Sequence, residues 1–321
     1  MHKKYYLLIL LSFLMTSCSH LHKKTPLPAV NAPTSMSSTQ TRSLAAFNLV
    51  DVQGRLNINL HTGYKKPQLI LRGDPRDLMQ VQTKVQNDTL YISLGSGYPQ
   101  HGEVSVDVQG RFLNKFRYEG AGIVTGNRLN TRFLDLYLAN QGTTRLGGSL
   151  GVQELVVKGN GLVQLSGVTS YNMQIHLIGS PKVQINGTVN LAELNISGGG
   201  WLSLYWVKSN NLLIKAKNTA KIQLAGIANR LEVELWGTAQ FKGRYLRAQR
   251  SFVKTHDKSV AEIASVNHQS SLSTDASDIY YYNIPNTRAD FMGFDGSTLD
   301  MRDLTSPYLN QEYTRYNKHF P

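Results

Sequence analysis

The sequence repeats itself every 19 or 20 residues, and a repeat of that length constrains the fold more than any other feature of the chain. One ladder of equivalent positions reads Val163, Val183, Leu202, Ile222, Phe241, Ala261, Tyr280. Two residues further along each repeat come Leu165, Ile185, Leu204, Leu224, Gly243, Ile263, Tyr282. A second ladder reads Leu155, Ile175, Leu194, Ile214, Val233, Val253, Leu272, Phe291. The turn that follows it is Gly159, Gly179, Gly198, Asn218, Gly237, Asp257, Ala276, Asp295, mostly residues that tolerate a left-handed backbone. A meander or sandwich also places a strand about every 10 residues, but hairpins reverse direction, so like positions do not recur in constant register. Constant register predicts a parallel solenoid instead, with coils ~4.8 Å apart and like residues stacked on like. About eight such coils fit between residues 142 and 296.

Ahead of the repeat, period-two alternation starts at Phe47 and runs through Leu49, Val50, Val52, Leu56, Ile58 and Leu60, then Leu69 and Leu71, then Leu90, Ile92 and Leu94. Gly54, Gly63 and Gly73 supply turns between these half-buried strands. The step from Leu49 to Val50 breaks the alternation once, as a bend or bulge would. No amphipathic helix of convincing length follows residue 45, so the fold class is all-β.

The N-terminus has a different character. A basic Met1-His2-Lys3-Lys4 precedes an apolar run from Tyr5 to Met15, too short for a bilayer span of roughly 20 residues. It ends in Leu14-Met15-Thr16-Ser17-Cys18, which resembles the lipobox of bacterial lipoproteins, with Met15 in place of the usual Leu. That resemblance implies cleavage before Cys18 and acylation of it, and two or more acyl chains anchor stably where one does not. Cys18 is the chain's only cysteine, which excludes an intramolecular disulfide framework and a cysteine-based zinc cluster. Ser19 follows it where, in the sorting rule such lipoproteins resemble, Asp retains the protein in the inner membrane, so an outer-membrane lipid anchor facing periplasm or surface is expected. The expected organisation is a signal peptide over 1–17, a lipidated cysteine and flexible tether over 18–45, the β-helix over 46–302, and an aromatic, basic tail over 303–321. The tether carries Pro26, Pro28, Pro33 and many Ser and Thr. The tail carries Tyr308, Tyr313, Arg315, Tyr316, Lys318 and Phe320, and is read as a cap on the last coil.

The segment from Phe47 to Leu94 is similar to the opening of the GIN domain, also called DUF2807. The family's "v-x-v-x-G" strand end is matched by Val50-Asp51-Val52-Gln53-Gly54, and its alternating strand by Leu56-Asn57-Ile58-Asn59-Leu60. Its "v-x-v-x-G-d" turn is matched by Leu69-Ile70-Leu71-Arg72-Gly73-Asp74, and its closing "g-t-L-x-I" by Asp88-Thr89-Leu90-Tyr91-Ile92, where Asp88 departs from Gly. The resemblance covers about residues 46 to 290 and implies a right-handed parallel β-helix and an adhesin-like role. An autotransporter's large C-terminal membrane barrel has no room in this chain, and lipid on Cys18 would replace it.

Parallel β-helices also host polysaccharide lyases and hydrolases, which need clustered carboxylates on an outward face. The outward rows between the core positions are Gln164, Gln184, Ser203, Gln223, Lys242, Glu262, Tyr281 and Leu162, Lys182, Trp201, Lys221, Gln240, Val260, Ile279. One carboxylate among them builds no general acid/base pair. Glu232, Glu234 and Trp236 share another outward face and are read as solvated, and Asp275, Asp278, Asp290 and Asp295 as turn residues. His20 and His22 lie in the tether without further ligands, and His176, His256 and His268 have no partner at motif spacing, so neither a metal nor a cofactor is expected. The charge is +13, or +11 without Lys3 and Lys4, but the basic residues are dispersed apart from short clusters such as Arg244 to Arg250. That favours solubility or an anionic envelope partner over nucleic acid.

What remains is a non-catalytic binding or adhesion module, with a polysaccharide-active enzyme or a purely structural envelope protein as alternatives. The expected binding face centres on Trp201 and Tyr205 with Ser203 between them, flanked by Lys182, Gln184 and Asn186 on the coil before and Lys221 and Gln223 on the coil after. Aromatic rings beside amide and ammonium donors stack on sugars and pair with acidic substituents, so a glycan or a cell-surface protein is the expected partner.

Overall fold

Alternation becomes strand almost everywhere. In the computed structural model, which describes residues 37–301, nineteen strands join in one sheet. The one helix among the described residues, α1 (Pro75–Leu78), is a single turn capped by Asp74, whose side chain accepts from the Arg76 amide. The repeat region forms eight long strands: β9 (Val124–Asn140), β10 (Thr143–Gly159), β11 (Leu162–Gly179), β12 (Lys182–Gly198), β13 (Trp201–Lys217), β14 (Lys221–Leu235), β15 (Gln240–Thr255) and β16 (Val260–Thr274). Each is one coil, and each pairs with its neighbours in parallel. Register shifts at Ser166/Val168 and Ser170/Met173 divide β11 into three runs, here called the first, second and third faces. The fold is the expected parallel β-helix.

Its core follows the two ladders. Val163, Val183, Leu202, Ile222, Phe241 and Ala261 stack in register on the first face, as do Leu155, Ile175, Leu194, Ile214, Val233 and Val253 on the third, and all are buried. Burial of this kind is worth roughly 1.5–3 kcal/mol per large aliphatic side chain, which is how a chain without disulfides holds such a stack. At the corner between faces, Gly167 has φ +71° and passes so close to the coil before it that a Cβ would sit 1.9 Å from the Gly148 carbonyl oxygen.

The last coils depart from the expected register by one residue. Ala261 pairs with Ile279 rather than Tyr280, Ile263 with Tyr281 rather than Tyr282, and Val253 with Ser271 rather than Leu272. The outward rows shift likewise, to Tyr280 and Asp278 in place of Tyr281 and Ile279. The cause is the turn, where the left-handed residue is Asp275 (φ 60°) and not Ala276. Asp tolerates that conformation through local hydrogen bonding and Ala does not, so the turn fixes the register and the strands around it follow. Of the four acids read as turn residues, Asp275 and Asp295 have left-handed φ, whereas Asp278 opens β17 (Asp278–Tyr281) and Asp290 lies in β18 (Arg288–Phe294). The coil closes with β19 (Ser297–Asp300).

The N-terminal strands are β1 (Ser38–Ser43), β2 (Leu49–Gln53), β3 (Asn57–His61), β4 (Gln68–Gly73), β5 (Val81–Gln86), β6 (Thr89–Leu94), β7 (Ser105–Gln109) and β8 (Lys115–Gly120). β2, β3, β6, β7 and β8 continue the parallel stacking onto β9. Beyond them the direction reverses: β4 lies antiparallel on β7, β1 antiparallel on β4, and β5 antiparallel on β6. Residues 38–43, expected in the flexible tether, are therefore a strand, because the alternate-residue backbone of Ser38-Thr39-Gln40-Thr41-Arg42-Ser43 completes the open edge of β4. The break at Leu49/Val50 is a bend at Asn48, between buried Phe47 and the start of β2. Cys18, the rest of the tether and the C-terminal tail lie outside the described residues.

Candidate functional site

Strand register brings the expected binding residues together on the first face of β12, β13 and β14. Lys182, Trp201 and Lys221 are direct partners across the three coils, and so are Gln184, Ser203 and Gln223. The lysines are exposed, while Trp201, Tyr205, Gln184 and Gln223 are half-buried. Ser203 occupies the expected outward row but is buried, at 4% exposure, beneath its larger neighbours. The aromatic that reaches furthest into solvent on this coil is Trp206, 48% exposed, which the reading of the strand pattern missed because it falls at the corner where alternation stops.

A hydrogen-bonded row of polar side chains runs toward this cluster. Arg145 Nε donates to Gln164 Oε1 at 2.9 Å, and Gln164 Nε2 donates to Gln184 Oε1 at 2.8 Å. A groove of about 360 Å³ lies along the row, lined by Asn127, Arg145, Gln164, Ser166, Gln184 and Asn186. Pre-oriented amides beside a guanidinium suit hydroxyl and carboxylate groups, and the fixed row costs little further ordering when a ligand arrives. Further along the same face Glu262 stands 3.8 Å from Arg244. Burial pushes its carboxyl up, against the opposing pull of Arg244 and Lys242.

Elsewhere the titratable groups are engaged in structure. Arg230 Nε donates to Glu232 Oε1 at 2.7 Å, and Trp236 stacks on His256 at 5.6 Å with the Lys217 ammonium 4.9 Å from its ring. His176 Nδ1 lies 3.3 Å from Asn195 Nδ2. The sequence reading missed a carboxylate pair on the third face, because it joins coils outside the positions compared. Asp135 and Glu154 are register partners, and burial together with the Glu154 charge raises the Asp135 carboxyl. The Tyr137 hydroxyl donates to Glu154, which pushes Tyr137 up to about 12. A cleft of about 100 Å³ beside Tyr137 is lined by neither acid. No group of three or more His, Cys, Asp or Glu side chains suited to a metal occurs among the described residues, and no helix there is long and apolar enough to cross a membrane.

Among solved structures, a "Putative lipid binding protein" from Parabacteroides distasonis is 14% identical, with 82% of this chain and 96% of that one covered and a TM-score of 0.46. A "putative adhesin" from Parabacteroides merdae is 16% identical, with 82% and 95% covered and a TM-score of 0.42. Another from Bacteroides fragilis is 14% identical, with 84% and 98% covered and a TM-score of 0.32. No curated protein matches the sequence. A family model described as "Putative auto-transporter adhesin, head GIN domain" matches residues 46–200 and 174–285, which takes in the opening strands and nearly every coil; the chain belongs to the GIN-domain family, DUF2807.

Proposed function

We propose that this protein is a non-catalytic adhesion module of the bacterial cell envelope, anchored in the outer membrane by lipid on Cys18, whose first face binds a glycan. The row from Arg145 through Gln164 to Gln184, open along its groove and continuous in register with Trp201 and Gln223, carries the reading. The family's description as an adhesin head agrees with it. A glycosidase would need two carboxyl groups facing one cleft. In the Asp135–Glu154 pair, Glu154 is held by the Tyr137 hydroxyl.

Glycan-array and envelope-fraction binding test the proposal. Trp201→Ala/Tyr205→Ala should weaken glycan binding about tenfold or more while the melting temperature stays within a few degrees. Gln184→Ala, which keeps both aromatic rings, should weaken it as well and serves if the double variant unfolds. Undiminished binding by both variants would remove the first face from consideration, and release of shortened sugar would replace adhesion with catalysis.

A further inference from the structure

Four consecutive coils stack basic side chains on the third face. Arg230, Arg250, His268 and Arg288 are register partners on β14, β15, β16 and β18. Neighbouring strands lie about 4.8 Å apart, and like charges directly opposite one another repel. The next outward row supplies counter-charge only at its ends, for it reads Glu232, Phe252, Ser270, Asp290. Glu232 takes the Arg230 guanidinium at 2.7 Å, and Asp290 takes His268 at 2.7 Å and Arg288 at 3.6 Å. In the gap between them Arg250 is exposed and has no hydrogen bond or ion pair among the described residues. Lys254, on the same outward side of β15, is also exposed and has no hydrogen bond or ion pair among the described residues, with Glu234 as its register partner on β14. Phe252 stands between the two, 36% exposed, its ring in contact on one side with Arg230 at 4.8 Å. Successive outward side chains of a strand are about 7 Å apart, so β15 presents cation, ring, cation over the span of a few sugars.

We infer that this strip binds an acidic polysaccharide, with a sugar ring packed on Phe252 and its carboxylate, sulfate or phosphate groups paired with Arg250 and Lys254. Arg230 and Arg288 flank the strip along the axis of the coils, each already paired with a carboxylate. A linear chain fits the strip better than an anionic membrane does. A plane of headgroups laid on this face would also press against Glu232, Glu234 and Asp290, whereas a chain can follow the cations alone. Single-stranded nucleic acid is bound on successive stacking rings, and the strip offers one. The site shares no residue with the first-face groove and stands or falls independently of it.

The test is binding of polygalacturonate and dextran sulfate to the full chain between about 50 and 300 mM salt, with neutral dextran, single-stranded DNA and phosphatidylglycerol vesicles as comparators. Both acidic polysaccharides should bind and neutral dextran should not. Arg250→Ala/Lys254→Ala should lose at least tenfold in affinity and flatten the salt dependence, with an unchanged melting temperature. Phe252→Ala should lose affinity without changing the salt slope. Lys65→Ala/Lys84→Ala removes the same charge from exposed positions elsewhere and should bind like the parent. Full-strength binding by Arg250→Ala/Lys254→Ala, equal loss in Lys65→Ala/Lys84→Ala, or tighter binding to DNA or vesicles than to both polysaccharides would overturn the assignment.

Discussion

Asp77 sits fully buried on the one-turn helix, and its carboxylate holds a loop in place: one oxygen accepts from the Gln100 amide at 3.0 Å, the other from the His101 amide at 2.7 Å. Burial alone would raise this carboxyl, and the two amides with the His101 ring overcome it, so its folded pKa lies below the ordinary value. A depressed folded pKa means stability that is complete above the unfolded carboxyl pKa of about 3.9 and is lost as pH falls through the folded value. Asp77→Asn should therefore lower the melting temperature by several degrees at pH 7, and the gap from wild type should narrow below about pH 4. Thermal melts of both proteins across that range check the sign. Nothing in Pro75-Arg76-Asp77-Leu78 announced this role, because the partners lie 23 and 24 residues away in a loop without periodicity. Trp201 and Lys221, by contrast, were placed correctly beside each other because each opens a strand whose side chains alternate as far as the first corner.

At the level of the coil, the conflict between turn and strand around Asp275 has an energetic signature. Choosing Asp275 for the left-handed position turns Leu272 outward and sends Ser271 and Ser273 into the interior, since a one-residue slip exchanges the two faces of a strand. Ser273 Oγ is buried there without a hydrogen-bond partner among the described residues. Ser273→Ala should consequently stabilise the protein, by about 1 kcal/mol, and Leu272→Asp should cost little. Leu194→Asp places an unpaired charge between Ile175 and Ile214 and should cost several kcal/mol, unfolding the neighbouring coils. Denaturant titration of the three variants distinguishes this register from the apolar one, in which Leu272→Asp would be as damaging as Leu194→Asp. Matching apolar residues by spacing succeeded through Val253 and failed in the next coil, where backbone conformation at a single turn outweighed the burial of a leucine.

At the scale of the whole molecule, the repeat was legible because a solenoid writes its period directly into the sequence, whereas the reversal of β4, β1 and β5 was not. Strand direction leaves no trace in alternation, and Leu69 and Leu71 read the same whether β4 runs with β7 or against it. Anchoring belongs to this scale too: Cys18→Ala should abolish acylation and move the protein from the membrane to the soluble envelope fraction, and a variant that still pellets after a high-salt wash would refute the lipid anchor. The reversed strands also bear on what many copies of this protein do when crowded together on a surface. A parallel stack that ended in a parallel strand would present a template on which the last coil of another copy could continue. Here the outermost strands, β1 and β5, run against the grain, and they expose Thr39, Gln40, Thr41 and Lys84. Charged and polar edges of this kind resist edge-to-edge growth. Among the described residues the N-terminal end of the β-helix thus closes with antiparallel strands, on which the parallel coil of another copy would find no matching direction to continue.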